Sequence, residues 1–324
     1  MLSRVADSIY WMSRYVERAE NLARFVDVTL NLILDQPQQP RSQWEPLVYT
    51  TGDNEYFKEH YGEVHASNVI NFLVFDTSYS GSIISCLNAA RENARTVREA
   101  ISSEAWEQIN HFFHMVRDAA QGVASTQTEP EFFDAIREQS QLFNGILDAT
   151  LSHASGWHFA NLGRLLERAD KTSRILDVKY YTLLPDPNDV GTTLDDLQWS
   201  SVLRSVSGFE TYRKQFQIIT VPRVVEFLVL DRHFPRAVQF CVNHADESLH
   251  AISGSQLNTY RNVAEQKLGR LKSELAYSDV ESIVSRGLHE FIDYLQVNLN
   301  DVATSIGDTF FSRPVEIDQH RLQP

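Results

Sequence analysis

Cysteine, glycine and proline are scarce in this sequence of 324 residues, and each shortage excludes a class of protein. Two cysteines cannot build a disulfide-rich scaffold; Cys86 and Cys241 stand among apolar residues outside any C-x-x-C pattern, which predicts buried thiols. The thirteen glycines and ten prolines flank few runs in which apolar and polar residues alternate, as they do in β-strands. Helices are therefore expected to dominate.

Basic residues and long apolar runs are also lacking. The chain has 29 Lys and Arg against 43 Asp and Glu, a formal net charge of -14, so we expect no nucleic-acid partner, since binding phosphates requires clustered cations. No run of about 18 apolar residues exists, and charges interrupt the first twenty residues. We therefore expect no membrane span, no signal peptide and a cytoplasmic protein. An apolar fraction of 43% favours a globular chain over a disordered one.

Apolar residues instead recur at three- and four-residue spacing, which is the period of amphipathic helices. On the first helix this apolar side consists of Trp11, Tyr15, Ala19, Leu22, Val26, Leu30 and Ile33. The expected fold class is all-α. We predict helices over 3–34, 66–76, 80–101, 103–123, 130–152, 156–183, 195–217, 222–231, 234–252, 256–275 and 279–311, with loops at 35–43 and 183–193.

One charged pattern occurs twice. The segment YVERAENLARFVDV, residues 15–28, is similar to the later segment LLERADKTSRILDV, residues 165–178. At an offset of 155 residues the likeness continues through Trp44 and Trp199, Asp76 and Asp231, Cys86 and Cys241, and Glu92 and Glu247. A period of a whole domain predicts a helical bundle of two tandem, pseudo-symmetric helical repeats, over 1–152 and 153–311, with an extended tail over 312–324.

The repeated charges are the candidate functional residues. In the two copies they are Arg14, Glu17, Arg18, Glu20, Arg24 and Asp27, and Arg164, Glu167, Arg168, Asp170, Arg174 and Asp177. Neighbouring positions differ freely between the copies, whereas these charges do not, and apolar Phe25 and Ile175 lie among them. Three interpretations remain open: a solvated helix face stitched by weak ion pairs, a buried network that joins the halves, or a ligand or catalytic site.

Arginines at i-3, i+1 and i+7 from Glu17 and Glu167 stabilise a charged carboxylate, so we expect a lowered pKa, which suits a general base poorly. Arginine forks bind carboxylate or phosphate in a bidentate manner. If Arg14 and Arg164 approach each other, an anion such as a peptide carboxylate can lie between them.

A weaker pattern has metal-ligand chemistry. Glu107, His111, His114 and Asp118 share one stripe of a predicted helix. A helical carboxylate centre typically needs two Glu-x-x-His pairs, and the sequence offers only Glu247-Ser-Leu-His250. We therefore expect no metal and no other cofactor.

The opening of the chain resembles the Alpha-E family, also called the domain of unknown function 403, which is named for helices with a Glu-Arg motif. The residues that carry the resemblance are Ser8, Tyr10, Trp11, Arg14, Tyr15, Glu17, Arg18, Ala19 and Glu20. The second Glu-Arg copy, Glu167-Arg168, also fits, although the aromatic run before it is reduced to residues 157–159.

The resemblance implies a functional context. Such proteins are similar to helical companions of circularly permuted ATP-grasp ligase-like proteins and of transglutaminase-like proteases, encoded beside them or fused to them, in systems expected to make or modify peptides. We therefore expect an accessory or scaffold subunit that docks an ATP-grasp partner and presents an anionic peptide. The alternatives are an enzyme that acts on peptide or amino-acid amide bonds through its Arg and Glu residues, and a self-associating structural protein.

Overall fold

A computed structural model describes residues 1–35, 40–122, 130–182 and 193–312, and these residues contain helices and no strand, which confirms the all-α class. Up to residue 150 the helices are α1 (Ser3–Asp35), α2 (Pro40–Thr51), α3 (Asn54–Tyr61), α4 (Ala66–Ile70), α5 (Ile83–Thr96), α6 (Ser103–Ala120) and α7 (Pro130–Thr150). They continue as α8 (Ser155–Thr182), α9 (Thr193–Ser205), α10 (Phe209–Gln215), α11 (Val221–Val225), α12 (Val238–Ser253), α13 (Val263–Tyr277), α14 (Val280–Arg286) and α15 (Leu288–Ile306). Single π-helical turns over Asn71–Phe75, Glu226–Leu230 and Gly307–Phe311 extend α4, α11 and α15.

Helices α1 and α8 form the centre of the bundle. Every residue from 19 to 27 of α1 is buried, although the segment contains Glu20, Arg24 and Asp27. Helix α1 packs on α8, α5 and α7, and α8 packs on α1, α12 and α15. Because each of these helices packs against at least three others, most of the charged side chains predicted on them contact protein instead of water.

The outer helices complete the bundle around this centre. Helix α6 packs on α5 and α7, and α13 packs on α12 and α15. The last π-helical turn brings Phe311 against Tyr10 of α1, with ring centroids 5.3 Å apart, and against Phe159 of α8 at 5.8 Å. The C-terminal end of the described chain therefore joins both central helices.

Helices α2 and α3 were missing from the sequence prediction, which placed a loop over 35–43. The two prolines of α2 look like turn signals, yet Pro40 begins the helix, where the absent N–H has no intrahelical partner to lose. Burial of Trp44 holds α2, which packs on α1 and α8. The loop prediction is therefore wrong from residue 40 onward; residues 36–39, like most of the 183–193 loop and the tail from 313, lie outside the described residues.

Two long predicted helices are interrupted. The prediction over 195–217 divides into α9 and α10 where Ser207 adopts a φ of 51°, and the prediction over 279–311 divides where Gly287 adopts a φ of 101°. A left-handed residue ends a helix because its carbonyl leaves the helical ladder. The predicted starts at 80, 234 and 256 are also early, since α5, α12 and α13 begin at Ile83, Val238 and Val263.

No helix in the described ranges combines the length and apolarity needed to cross a membrane.

Gly163 marks a close approach of α8 to α1. A Cβ atom at this position would lie 2.4 Å from the backbone oxygen of Tyr10. We expect Gly163→Ala to lower the free energy of unfolding by about 1–3 kcal/mol, because backbone cannot yield as a flexible side chain does. Gly269→Ala is the control: it adds a methyl group to open space in α13 and should raise stability by about 0.5–1 kcal/mol. Urea titration measures both, and a neutral Gly163→Ala would contradict the close approach.

Candidate functional site

The twelve repeated charges are largely enclosed. Seven are buried: Arg14, Glu17, Glu20, Arg24, Asp27, Glu167 and Asp170. The other five are partly buried: Arg18, Arg164, Arg168, Arg174 and Asp177. The interpretation of these residues as a solvated helix face is therefore wrong. It failed because the two motif-bearing helices pack against each other, so that the charged side of each contacts the other.

Glu167 of α8 is bound by cations from α1. Its side chain has no exposed surface. Arg14 donates from Nε to Oε2 at 2.9 Å, and Arg18 donates from Nε to Oε1 at 2.6 Å and from Nη2 to Oε2 at 3.1 Å. Lys171, one turn further along α8, lies 3.7 Å from Oε1. Two guanidinium groups therefore engage both carboxylate oxygens of Glu167.

Glu17 of α1 is bound in return by cations from the later part of the chain. Arg168 donates from Nε to Oε1 at 2.9 Å and from Nη2 to Oε2 at 2.7 Å, a bidentate pair. Arg236 donates from Nη1 to Oε1 at 3.1 Å, and Asn21 donates to the same oxygen at 3.0 Å. We call the set formed by Glu17, Glu167 and their partners the reciprocal network.

Glu20 extends this network on one side. It accepts hydrogen bonds from Nε and Nη2 of Arg24 at 3.0 and 2.7 Å, from the hydroxyl of Ser140 at 2.7 Å, and from Nη2 of Arg236. Arg24 also donates to the hydroxyl of Ser207. Sequence reasoning missed Arg236, since it lies in a loop outside the repeated motif and no local pattern marks it.

The remaining predicted residues lie at the edges of the network. Asp170 pairs with Arg174 at 2.9 Å and with Lys171 at 3.2 Å. Asp27 and Asp177 do not join these pairs. Asp27 accepts from Arg137 of α7 at 3.0 Å, and Asp177 lies 2.7 Å from Nδ1 of His289 on α15. The contacts therefore join nine of the twelve predicted charges. Arg164 forms no ion pair within the described residues, and Asp27 and Asp177 lie in separate pairs.

The pairing determines the charge states. Burial alone would raise the pKa of Glu167, but Arg18 and Arg14 outweigh it and hold the pKa well below its usual range. Burial likewise opposes the ionisation of Glu20, yet Arg236 and Arg24 lower its pKa to about 2. Glu167 thus confirms the expected lowering, and as a permanent carboxylate it is poorly suited to proton transfer near neutral pH.

Cys86 and Cys241 are buried and free, as the sequence predicts. Burial raises the pKa of Cys86 to about 11 and that of Cys241 to about 12. Both remain protonated near neutral pH and are poor nucleophiles.

A cavity of about 720 Å³ opens beside the network, and we call it the arginine cavity. Its charged wall consists of Glu20, Arg24, Arg164, Arg168, Asp231 and Arg236. Gln141 and Asn144 of α7, Thr211 and Gln215 of α10, and His233 contribute polar groups, while Phe234 contributes an apolar surface. An opening lined by four arginines is unusual for a chain with a net charge of -14.

Arg164 differs from the other arginines of the cavity. It donates from Nη2 to Oδ1 of Asn161 at 2.6 Å, and its Nε is buried without a partner. Within the described ranges it forms no ion pair, and burial and the neighbouring Arg168 lower its pKa. Arg14, its counterpart in the sequence, borders a separate cavity of about 200 Å³ with Arg18 and Arg174. Neither of these two cavities therefore offers both Arg14 and Arg164 to one anion.

The weaker metal pattern stays dispersed. Asp118 pairs with Arg117 at 2.7 Å, and His111 is exposed. The described part of the chain contains no group of three or more His, Cys, Asp or Glu side chains placed to hold a metal ion.

We expect Glu167→Gln to lower the free energy of unfolding by about 3–5 kcal/mol, because a neutral amide leaves the guanidinium groups of Arg14 and Arg18 enclosed without their counter-charge. Glu92→Gln is the matched control, since Glu92 pairs with exposed Arg95 and should cost about 0–1 kcal/mol. Denaturant titration compares the two, and similar losses from both would show that enclosure adds nothing to the pair.

Acid should weaken the network in a defined range of pH. The pKa of Glu20 falls from 4.5 to about 2 on folding, so its stabilisation is fully present above pH 4.5 and is lost as the pH falls toward 2. The difference in unfolding free energy between wild type and Glu20→Gln should therefore shrink between pH 4.5 and 2. A constant difference would mean that the carboxylate is unpaired.

Comparison with known proteins identifies the family of the chain. A family model described as a predicted alpha-helical domain with a conserved ER motif, Alpha-E, matches residues 1–311. Uncharacterized proteins of Mycobacterium bovis and Mycobacterium tuberculosis are 22% identical over 99% of this chain, and one from another M. tuberculosis strain is 21% identical. The chain spans 39% of the length of these relatives, and no solved structure matches it. Since the model covers nearly the whole chain, including both Glu-Arg pairs, the chain belongs to the Alpha-E family.

Proposed function

We propose that this chain is a non-catalytic, helical subunit of an ATP-grasp-type peptide ligation or modification assembly in the cytoplasm. The observation that carries the proposal is the state of the two Glu-Arg glutamates. Glu17 and Glu167 have no exposed surface, and arginines occupy the oxygens of both. A general base needs a pKa near the working pH and access to the substrate, and Glu167 has neither.

The ATP chemistry is assigned to the partner. The sequence contains no glycine-rich phosphate loop. The family resemblance suggests a circularly permuted ATP-grasp protein as the partner, with a transglutaminase-like protein as a further one. The mycobacterial relatives are longer than this chain, which is consistent with an Alpha-E unit that works beside other polypeptide. In this proposal Arg24, Arg164 and Arg168 contact an anionic group, and the enclosed charges hold α1 on α8.

We also propose that the body consists of two equivalent helical repeats, over 1–152 and 153–311. Their proposed boundary falls between α7 and α8. Asp76 and Asp231 support the equivalence, since each follows a π-helical turn and accepts hydrogen bonds from the backbone N–H groups two and three residues further on. Phe72 stacks on Tyr79 with ring centroids 4.2 Å apart, as Phe227 does on Phe234 at 4.4 Å.

One observation favours an enzyme acting on peptide amide bonds as the second candidate. The arginine cavity brings Arg164 onto the same wall as Asp231 and His233. Asp231 accepts the backbone N–H of His233 at 2.7 Å, which fixes the loop that carries the imidazole. A histidine that lines the same cavity as an arginine without an ion pair can contribute proton transfer to an anionic substrate bound there.

Co-expression with an ATP-grasp protein encoded beside this chain tests the leading proposal. We expect the two proteins to co-purify, and we expect the ATP turnover of the partner on a peptide substrate to rise severalfold when this chain is present. The reason is that a docked subunit positions the substrate without adding a chemical step. Turnover is measured with the partner alone, with the complex, and with this chain alone.

The same measurements separate the two candidates. Amide-bond formation or hydrolysis by this chain alone, abolished in His233→Ala, would replace the subunit proposal with the enzyme. Failure to co-purify together with unchanged turnover would reject the subunit.

A further inference from the structure

The charges around the arginine cavity do not cancel. Four guanidinium groups border it, from Arg24, Arg164, Arg168 and Arg236. Three carboxylates lie on the wall or pair directly with those arginines, namely Glu17, Glu20 and Asp231. One positive charge is left over in this count. Of the four arginines, Arg164 is the one without an ion pair to a described residue, since Arg24, Arg168 and Arg236 pair with Glu20 or Glu17.

Asp148 also interacts electrostatically with Arg164, but it forms no ion pair or hydrogen bond with it. Asp148 is exposed, pairs with His153 at 3.5 Å and accepts from Trp157 at 3.3 Å. Arg164 therefore lacks an anion that the described residues supply. A partly buried guanidinium without one is costly, and such a group is retained where a ligand provides the missing charge.

The excess of one positive charge matches a carboxylate better than a phosphate. A carboxylate carries one negative charge and fits the fork of a guanidinium with two parallel hydrogen bonds, whereas phosphate near pH 7 carries nearly two charges. The other polar residues of the cavity are suited to hydrogen bonding with the backbone of a peptide. Gln141, Asn144 and Gln215 have side-chain amides that form no hydrogen bond within the described part of the chain, and amides pair readily with peptide groups.

We propose that the arginine cavity binds a carboxylate-bearing peptide, with the carboxylate on Arg164 and the adjoining backbone on the amides of α7 and α10. The volume of about 720 Å³ lies within the range of about 300–1,000 Å³ for ligand pockets. The positive charge around the cavity indicates that the ligand carries a carboxylate, while the peptide nature of the ligand rests on the proposed function. The two sources of the carboxylate are the C-terminus of the peptide and an acidic side chain.

Fluorescence anisotropy on the full chain tests the assignment with three labelled probes. The first is penta-alanine with a free C-terminal carboxylate, the second is the same peptide with a C-terminal amide, and the third is the amidated peptide with glutamate at its centre. We expect saturable binding of the first or third probe and at least tenfold weaker binding of the second. The basis is that a charge-assisted bidentate contact corresponds to about tenfold to a hundredfold in affinity.

Arg164→Gln should weaken binding of the carboxylate probe by about tenfold or more, and Arg164→Lys should restore part of it. Two control variants carry the same change of charge. Arg174→Gln removes a cation from the smaller cavity, and Arg95→Gln removes one from an exposed ion pair on α5. Both should bind within about twofold of wild type, since neither residue borders the arginine cavity. A thermal melt of Arg164→Gln checks its fold, and we expect only a small drop in Tm because the substitution removes the hydrogen bond to Asn161 but breaks no ion pair.

Tighter binding of the first probe than the third identifies the C-terminus as the source, and the reverse order identifies a side chain. Equal binding of all three probes, no binding of any, or an unchanged affinity in Arg164→Gln would overturn the assignment. Loss of binding in Arg174→Gln would overturn it in favour of the smaller cavity. Competition by inorganic phosphate at lower concentration than acetate would replace the carboxylate with a phosphate.

Failure of this proposal is distinguishable from failure of the proposed function. Probe binding is measured on this chain alone, whereas the subunit role is measured by co-purification with the ATP-grasp protein. If the chain binds the probes but does not co-purify with the partner, the cavity assignment stands. If it co-purifies with the partner but does not bind the probes, only the subunit role stands.

Discussion

Two carboxylates deep in the molecule, Glu17 and Glu167, draw their principal cations from each other's helices. Removing a carboxylate from water costs several kcal/mol, and only close, hydrogen-bonded cations offset that cost. Arg14 and Arg18 of α1 form ion pairs with Glu167, while Arg168 of α8 forms an ion pair with Glu17. Neither helix satisfies its own glutamate, so the charges are compatible with burial only when α1 and α8 lie together.

This exchange also specifies how the helices pack. Apolar contacts between two helices tolerate small sliding motions, whereas a bidentate pair allows little change in distance or angle. The bidentate contacts of Arg18 and Arg168 act in opposite directions across the α1–α8 interface. The close approach at Gly163 lies beside them, since a Cβ there would lie 3.2 Å from the Arg14 side chain. Charge and shape thus select the same alignment of the two helices.

Much of this could be predicted from the sequence, because helical periodicity and a repeated charge motif are local signals. They predicted the bounds of α1 to within one residue and marked Glu17 and Glu167, which are buried, as candidate functional residues. The contribution of Arg236 could not be found, since it depends on a loop that folds back over α1 from far along the chain. Helix α2 was hidden by its prolines, and the break at Ser207 by a backbone conformation that serine rarely adopts.

The spacing of the reciprocal pairs along the chain bears on how the protein is made. Arg168 lies 151 residues beyond its partner Glu17, and Arg236 lies 219 residues beyond it. During synthesis Glu17 leaves the ribosome before either of these arginines has been made. Until α8 and the loop that carries Arg236 have been translated, Glu17 lacks the cations that offset its burial in the folded chain.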